Sequence, residues 1–476
     1  MKGFVPTPKE TVDRMVDRLF FERRPKAENL ILDPGCGEGE FIQGILRWCA
    51  SHRASIPRIV GIESDLRHVK TARGRFAGCP SVEIRHADFL KDDDLDKYDF
   101  VIGNPPYVPI TGLNENEKER YRARYETAAG RFDLYLLFFE QALALLKNRG
   151  RLVFITPEKF LYVETARPLR KILAQKNVEE IRMISEETFG DLVTYPTITS
   201  VVNDAPSSSV LAILRNGSEV KIALGCEGFS WLPGIMGTTP GKDGPVLEDI
   251  CVRISCGVAT GADGVFVKRL GDIDSSLRRF AYPTIAGREL GESNGELHFR
   301  QLMLVPYDLD GNLIPEGKLG SLGDYLSQRP VRTILNRRTC VQRKPWYAFH
   351  ETPPLIDILR PKILCKDIAE RPRFWIDRGG KLIPRHSAYY LVPNDPTQIE
   401  ELCDFLNSDG VAKWLEGHCQ RAANGFLRLQ SQILKKLPLP FEFGGRSKIS
   451  RKRCAAQPIG RTQKGDSRTS EFEFGR

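Results

Sequence analysis

Four apolar runs, each closing on an acid or an amide, constrain the fold of this 476-residue chain more than any other feature. They read "ENLILDPG", "PRIVGIESD", "SVEIRHADF" and "YDFVIGNPP", and the helix-like "EGEFIQGILRWCASH" and "LRHVKTARGRFAG" follow the first two. Strands alternating with helices predict an α/β, doubly wound, mostly parallel sheet. Further on, "RLVFITP", "VEEIRMISEE" and either "ITSVVND" or "SSSVLAILRN" complete a set of seven strands. A long helix is expected over "FDLYLLFFEQALALLKNRG", apolar nearly all round, with Gly150 as its stop. Ligands on such sheets bind beyond the carboxyl ends of the strands. Asp33, Glu63, Asp88 and Asn104 all fall at those ends.

The alternation loosens into Ser, Pro, Asn and Gly over 203–218, which sets an expected boundary at 218. Beyond it, 219–440 reads as a smaller mixed α/β domain with many Arg-Pro and Gly turns, and "EELCDFLNSDGVAKWLEGHCQ" as an amphipathic helix. Residues 441–476 are basic and poor in apolar residues, as a disordered tail would be. The net charge of +9 permits a polyanionic partner, but this tail carries nine Lys/Arg and four Asp/Glu, or +5 of the excess. Charge alone therefore does not demand nucleic acid. Eleven cysteines without a Cys-x-x-Cys pair argue against a disulfide framework, and with seven unpatterned histidines predict no metal site. No apolar run is long enough to span a bilayer and no signal peptide is present, so a cytoplasmic protein is expected.

The motifs suggest chemistry. In "LDPGCGEGEF" an acid, Asp33, precedes glycines at 35, 37 and 39, which let backbone approach a ligand closely. The spacing is not that of a dinucleotide fingerprint, and a leading acid disfavours phosphate. It suits a ligand with a positive centre and an amine, such as S-adenosylmethionine. Glu63 could accept from ribose hydroxyls, Asp88 from an adenine amine, and Phe89 could cover the purine face. Asn104-Pro105-Pro106-Tyr107 then follows a buried strand. An aromatic exocyclic amine is a poor nucleophile because its lone pair is delocalised. The Asn104 side-chain oxygen and the Pro105 carbonyl could accept its two N–H groups and aim the lone pair at a methyl group, with prolines holding both acceptors in place. Tyr107 offers a face on which a base can stack. Pro-Cys, the mark of ring-carbon methylation of cytosine, is absent.

At these residues the chain resembles the gamma-group, Taq-type N6-adenine-specific DNA methyltransferases, in motif order nearly throughout residues 3–205. "FVPTPKETVDRMVDRL" is similar to their amino-terminal motif, with Thr7 closing over the cofactor. Asp33, Pro34, Gly35, Cys36 and Gly37 match the cofactor loop; Glu63, Asp88 and Phe89 match the ribose and adenine binders. Asn104, Pro105, Pro106 and Tyr107 match the catalytic tetrapeptide, with Pro106 bordering the cofactor. The resemblance implies a second aromatic opposite the flipped adenine: Phe189, by its place after the sixth strand, or Tyr195, which is followed by Pro196. It also implies a carboxyl-terminal target-recognition domain, in which Lys366, Arg421 and Arg428 are among the candidate DNA contacts.

The expectation is a site-specific adenine methyltransferase that uses S-adenosylmethionine, acts on double-stranded DNA by base flipping, and serves restriction–modification or phage defence, with or without a separate cognate endonuclease. Amino-methylation of protein glutamine or ribosomal RNA bases, and an inactive DNA-binding relative, remain as alternatives.

Overall fold

The computed structural model describes residues 5–91, 96–189, 195–238, 244–291, 297–422 and 425–444. Helix α1 (Lys9–Leu19) leads into β1 (Leu30–Pro34), α2 (Glu40–Ser51), β2 (Arg58–Glu63), α3 (Leu66–Arg75), β3 (Val82–His86) and β4 (Tyr98–Gly103). After α4 (Glu115–Arg124) and α5 (Leu134–Ala144) come β5 (Leu146–Pro157), α6 (Arg167–Ala174), β6 (Asn177–Met183), β7 (Pro196–Val202), β8 (Val210–Ile213) and β9 (Glu219–Ile222). They form one sheet in the order β3-β2-β1-β4-β5-β7-β6-β8-β9.

The run β3-β2-β1-β4-β5 is parallel throughout. Buried on both faces, β1, β2, β4 and the second half of β5 read as near-continuous apolar runs, whereas the edge strand β3 mixes buried and exposed positions. Successive side chains still go to opposite faces. Leu32, Val101, Leu152 and Phe154 pack under α5 and α6, while Ile31, Phe100, Ile102 and Val153 pack under α1, α2 and α3.

Four expectations need correction. The sheet has nine strands rather than seven: both candidate closing segments are strands, and β7 slots antiparallel between β5 and β6. The last strand, β9, lies past 218, and Trp231, Leu232 and Ile235 are buried in the same core, so the first half outruns the expected boundary. The long helix ends at Ala144, because the backbone at Leu146 is taken into the ladder opposite Tyr98. Gly150 sits in the irregular part of that pairing, where an added Cβ would lie 2.9–3.2 Å from three carbonyl oxygens. The expected amphipathic helix near 410 is two, Ile399–Leu406 and Asp409–His418, broken where the Ser408 hydroxyl accepts the Val411 N–H.

The second half holds two four-stranded sheets and one of three strands. One four-stranded sheet is built from Cys251–Cys256, Ala388–Pro393, Lys362–Lys366 and Phe374–Asp377; the other contains Ala281–Ile285 and Ile383–Pro384. Its core includes an ion pair out of reach of water, Lys362 Nζ to Asp377 Oδ2 at 2.6 Å. Phe443 is buried in this half, so the packed chain extends past 441; residues 445–476 of the expected tail lie outside the described residues. No described helix is long and apolar enough to cross a membrane.

Candidate active site

The chain leaves β1 through a turn in which Gly35, Gly37 and Gly39 all have positive φ, at 85°, 55° and 90°. Only glycine adopts this region without cost. Gly39 has a second reason to lack a side chain, since a Cβ there would lie 2.3 Å from Phe76 Cε2. The neighbouring strand pins the turn: the N–H groups of Gly35 and Cys36 donate to the Ile62 carbonyl at 2.8 and 3.0 Å. Gly37 N–H donates to Glu63 Oε2 at 3.0 Å, and Asp65 N–H to Glu63 Oε1 at 2.7 Å. Glu63 is thus buried and held by two backbone amides, with the Ser64 hydroxyl a further, longer donor to Oε1 at 3.5 Å and one acceptor position left on Oε2.

These residues border a cavity that opens to solvent and encloses about 1080 Å³ of empty space. Of the expected site residues, Thr7, Gly35, Cys36, Glu63, Asp88, Phe89, Asn104 and Pro106 line it. Asp33, Pro34, Gly37, Pro105 and Tyr107 are not on its wall. Asp88 is steadied by the Leu90 N–H at 3.1 Å and the Lys91 ammonium at 2.7 Å. Phe89 and Phe138 stand 5.1 Å apart between ring centroids. Phe138 was not read from the sequence, because it sits on a helix that is apolar on every side. The fit to S-adenosylmethionine is good: an aromatic pair for a purine, two carboxylates for hydroxyls and an amine, and glycine backbone where a side chain would intrude.

Asp33 stands behind the turn, fully buried, with neither carboxylate oxygen bonded among the described residues. Burial raises its pKa well above the ordinary carboxylate range, and the charge of Glu63 adds to the effect.

The most informative group is Asn104. Its Nδ2 donates to the Val5 carbonyl and to Thr7 Oγ1, both at 3.1 Å. A carbonyl oxygen can only accept, so this pairing fixes which end of the amide faces the amino-terminal segment. Oδ1 is left buried and unpartnered among the described residues, on a side chain that lines the cavity. A buried acceptor without a donor costs ~1–3 kcal/mol. The site therefore holds a cost that an incoming N–H would remove.

The Tyr107 hydroxyl is also buried without a bonded partner among the described residues, and burial pushes its pKa up. Its ring meets Tyr135 edge-on at 6.4 Å. Tyr135 is itself fully buried, and burial, with the Asp133 charge adding to it, raises its pKa well above the usual phenol range. Tyr162 neighbours Glu158, Arg215 and Arg421, and the Arg215 guanidinium lies 5.1 Å from the Tyr195 ring centroid. Tyr195 lies at the carboxyl end of β5, where its carbonyl accepts the Glu158 N–H at 2.7 Å, and its hydroxyl bonds Ala422 and Gly425 of the second half. Phe189 packs against the core under α1, α2 and α3. Among the described residues no group of His, Cys, Asp and Glu is arranged to hold a metal.

Comparison with known proteins matches both halves. Residues 79–189 match the Eco57I restriction-modification methylase family, and residues 310–439 the TaqI-like C-terminal specificity domain. A methylase fold followed by a specificity domain is the build of a Taq-type DNA methyltransferase with a carboxyl-terminal recognition domain, and this chain has it. More narrowly, it is a relative of the type II restriction–modification methyltransferases. It is 26% identical to the type II methyltransferase M.PaeR7I of Pseudomonas aeruginosa, over 92% of this chain and 86% of that protein. It is 24% identical to M.XhoI of Xanthomonas vasicola, over 92% and 91%. The fold is also that of the type IIL restriction-modification enzyme MmeI, solved with DNA: TM-score 0.62, 13% identity, 95% of this chain and 68% of that one.

Proposed function

We propose that the chain transfers a methyl group from S-adenosylmethionine to the N6 amino group of an adenine flipped out of duplex DNA. The carrying observation is Asn104, whose amide is clamped through nitrogen and whose oxygen is left without a donor at the cavity wall. When bound, the cofactor supplies an electrophilic methyl group. Glu63 and Asp88 hold the nucleoside portion and Phe89 and Phe138 take its purine. Asn104 Oδ1 accepts one amino N–H of the target and the Pro105 carbonyl the other, so the nitrogen lone pair localises and points along the transfer direction. Tyr107 and Tyr195 sandwich the flipped base; Tyr195 is preferred to Phe189 because its hydroxyl bonds the recognition half at Ala422 and Gly425, whereas Phe189 packs against the core under α1, α2 and α3.

The setting is a restriction–modification system, in which the mark protects DNA from a cognate endonuclease. The specificity half favours DNA over protein glutamine or ribosomal RNA as acceptor. The test is methyl transfer from labelled S-adenosylmethionine to DNA, RNA and protein offered together, followed by sequencing of the modified DNA. Label in adenines of one short sequence, lost with Asn104→Ala while cofactor binding persists, is expected. Label in RNA or protein alone would refute the proposal.

A further inference from the structure

The recognition half contains a second cleft of about 1020 Å³, at the meeting of its two four-stranded sheets. Its floor is backbone drawn tightly together. The Asp367 N–H donates to the Ser387 carbonyl at 3.1 Å and the Gly287 N–H to Ser387 Oγ at 2.9 Å. A Cβ on Gly287 would lie 2.1 Å from the Ser387 carbonyl oxygen. Arg288, Lys366, Arg385 and His386 make its walls basic, as a polyanion site requires.

Two carboxylates interrupt that wall. Asp263 is engaged by the Thr260 hydroxyl at 2.5 Å. Arg385 is itself committed to Glu289 and Gln301, at 2.9 and 2.8 Å. Asp367 differs: among the described residues its carboxylate has no ion-pair partner, with Arg428 and His386 acting on it from nearby. Burial raises its pKa, so holding it here has a cost that needs a reason. The cleft is also tied to the active edge. Ile368 and Ala369 pair with Arg428 and Leu427, on a strand that also pairs with Gln420–Arg421, next to the Ala422 carbonyl that Tyr195 bonds.

We infer that Asp367 is a specificity-determining residue, whose carboxylate accepts the exocyclic amine of one cytosine or adenine in the major groove of the target. The inference rests on duplex DNA as substrate. A carboxylate repels phosphate, and guanine O6 and N7 and thymine O4 are acceptors that it repels too. Only cytosine N4 and adenine N6 offer it a donor in that groove. The carboxylate of Asp367, the one of the two not engaged by a neighbouring hydroxyl, therefore attracts two base pair orientations and rejects the others. Lys366 and Arg288 hold the flanking phosphates and carry no sequence information.

The experiment compares the full chain with Asp367→Asn, Asp367→Ala and Lys366→Ala, mapping methylated adenines and rates on the cognate duplex and on its single base pair variants. Asp367→Ala should lose ~10- to 100-fold on the cognate duplex and lose discrimination at one base pair. Asp367→Asn, which adds a donor to an isosteric side chain, should admit guanine or thymine at that same pair. Lys366→Ala should weaken every duplex alike and flatten the salt dependence. S-adenosylmethionine affinity, read in the other half of the chain, reports that each variant is folded. Asp367 variants that keep the site preference of the unaltered chain would overturn this inference alone. Failure of the unaltered chain to methylate any duplex would overturn the proposed function and this inference with it.

Discussion

The hydroxyl of Tyr195 donates to the carbonyl of Ala422 at 2.5 Å across 227 residues of chain, and the same oxygen accepts the Gly425 N–H at 2.6 Å. One side chain at the active edge thus closes a turn in the recognition half. Tyr195→Phe keeps the ring and removes this link. Two neutral hydrogen bonds contribute about 1–3 kcal/mol together. The variant should raise KM for DNA at least fivefold with a smaller change in kcat, and speed amide exchange in the 420–428 hairpin. Unchanged exchange there would show that the link does not hold the hairpin.

Thr7 shares the Asn104 amide with Val5. Thr7→Val removes one acceptor and lets Oδ1 turn away from the cavity. A net hydrogen bond of about 1 kcal/mol corresponds to about a fivefold loss, expected in single-turnover transfer rate and restored by Thr7→Ser. An unchanged rate would mean that Val5 alone orients the amide.

Asp33 sets a pH dependence. Its pKa is raised in the folded chain, so the folded state holds its proton more tightly than the unfolded state does. That contribution to stability is complete below about 3.8 and is lost as pH rises from there through the folded-state value. Asp33→Asn should therefore raise the Tm of the ligand-free protein at pH 8, by an amount that shrinks toward pH 4, and weaken S-adenosylmethionine binding. Calorimetry at several pH values, with and without the cofactor, checks both effects. A Tm gain that did not vary with pH would count against a raised Asp33.

Gly39→Ala combines a left-handed φ with a clash against Phe76. The backbone term is ~1–2 kcal/mol and the overpacking ~1–3 kcal/mol. Denaturant midpoints should fall by an amount equivalent to about 2–5 kcal/mol, with cofactor affinity falling as well. Gly74→Ala, whose Cβ would meet nothing within 4 Å, is the control.

Much of the site was legible because its residues punctuate strands. Glu63, Asp88 and Asn104 follow apolar runs immediately, so chain order alone set them side by side. What stayed hidden depends on contacts distant in sequence. The hold of Val5 and Thr7 on Asn104 spans 97 residues or more, and no local pattern marks it. The preference proposed for Tyr195 over Phe189 rests on a hydrogen bond across 227 residues of chain, which no local pattern marks either. Strand β7 reads like any other apolar run; its antiparallel insertion is a matter of topology. The early end of α5 was invisible too, since Leu145, Leu146 and Lys147 suit a helix as well as a strand.

The grip of the first residues on Asn104 has a consequence for proteolysis. A chain cut between Thr7 and Pro8 would keep α1, all nine strands and the recognition half, yet lose both partners of the reactive amide. It should still retard target DNA in a gel while leaving it unmarked. Trimming by a few residues would turn a modifying enzyme into an occupant that blocks its own site.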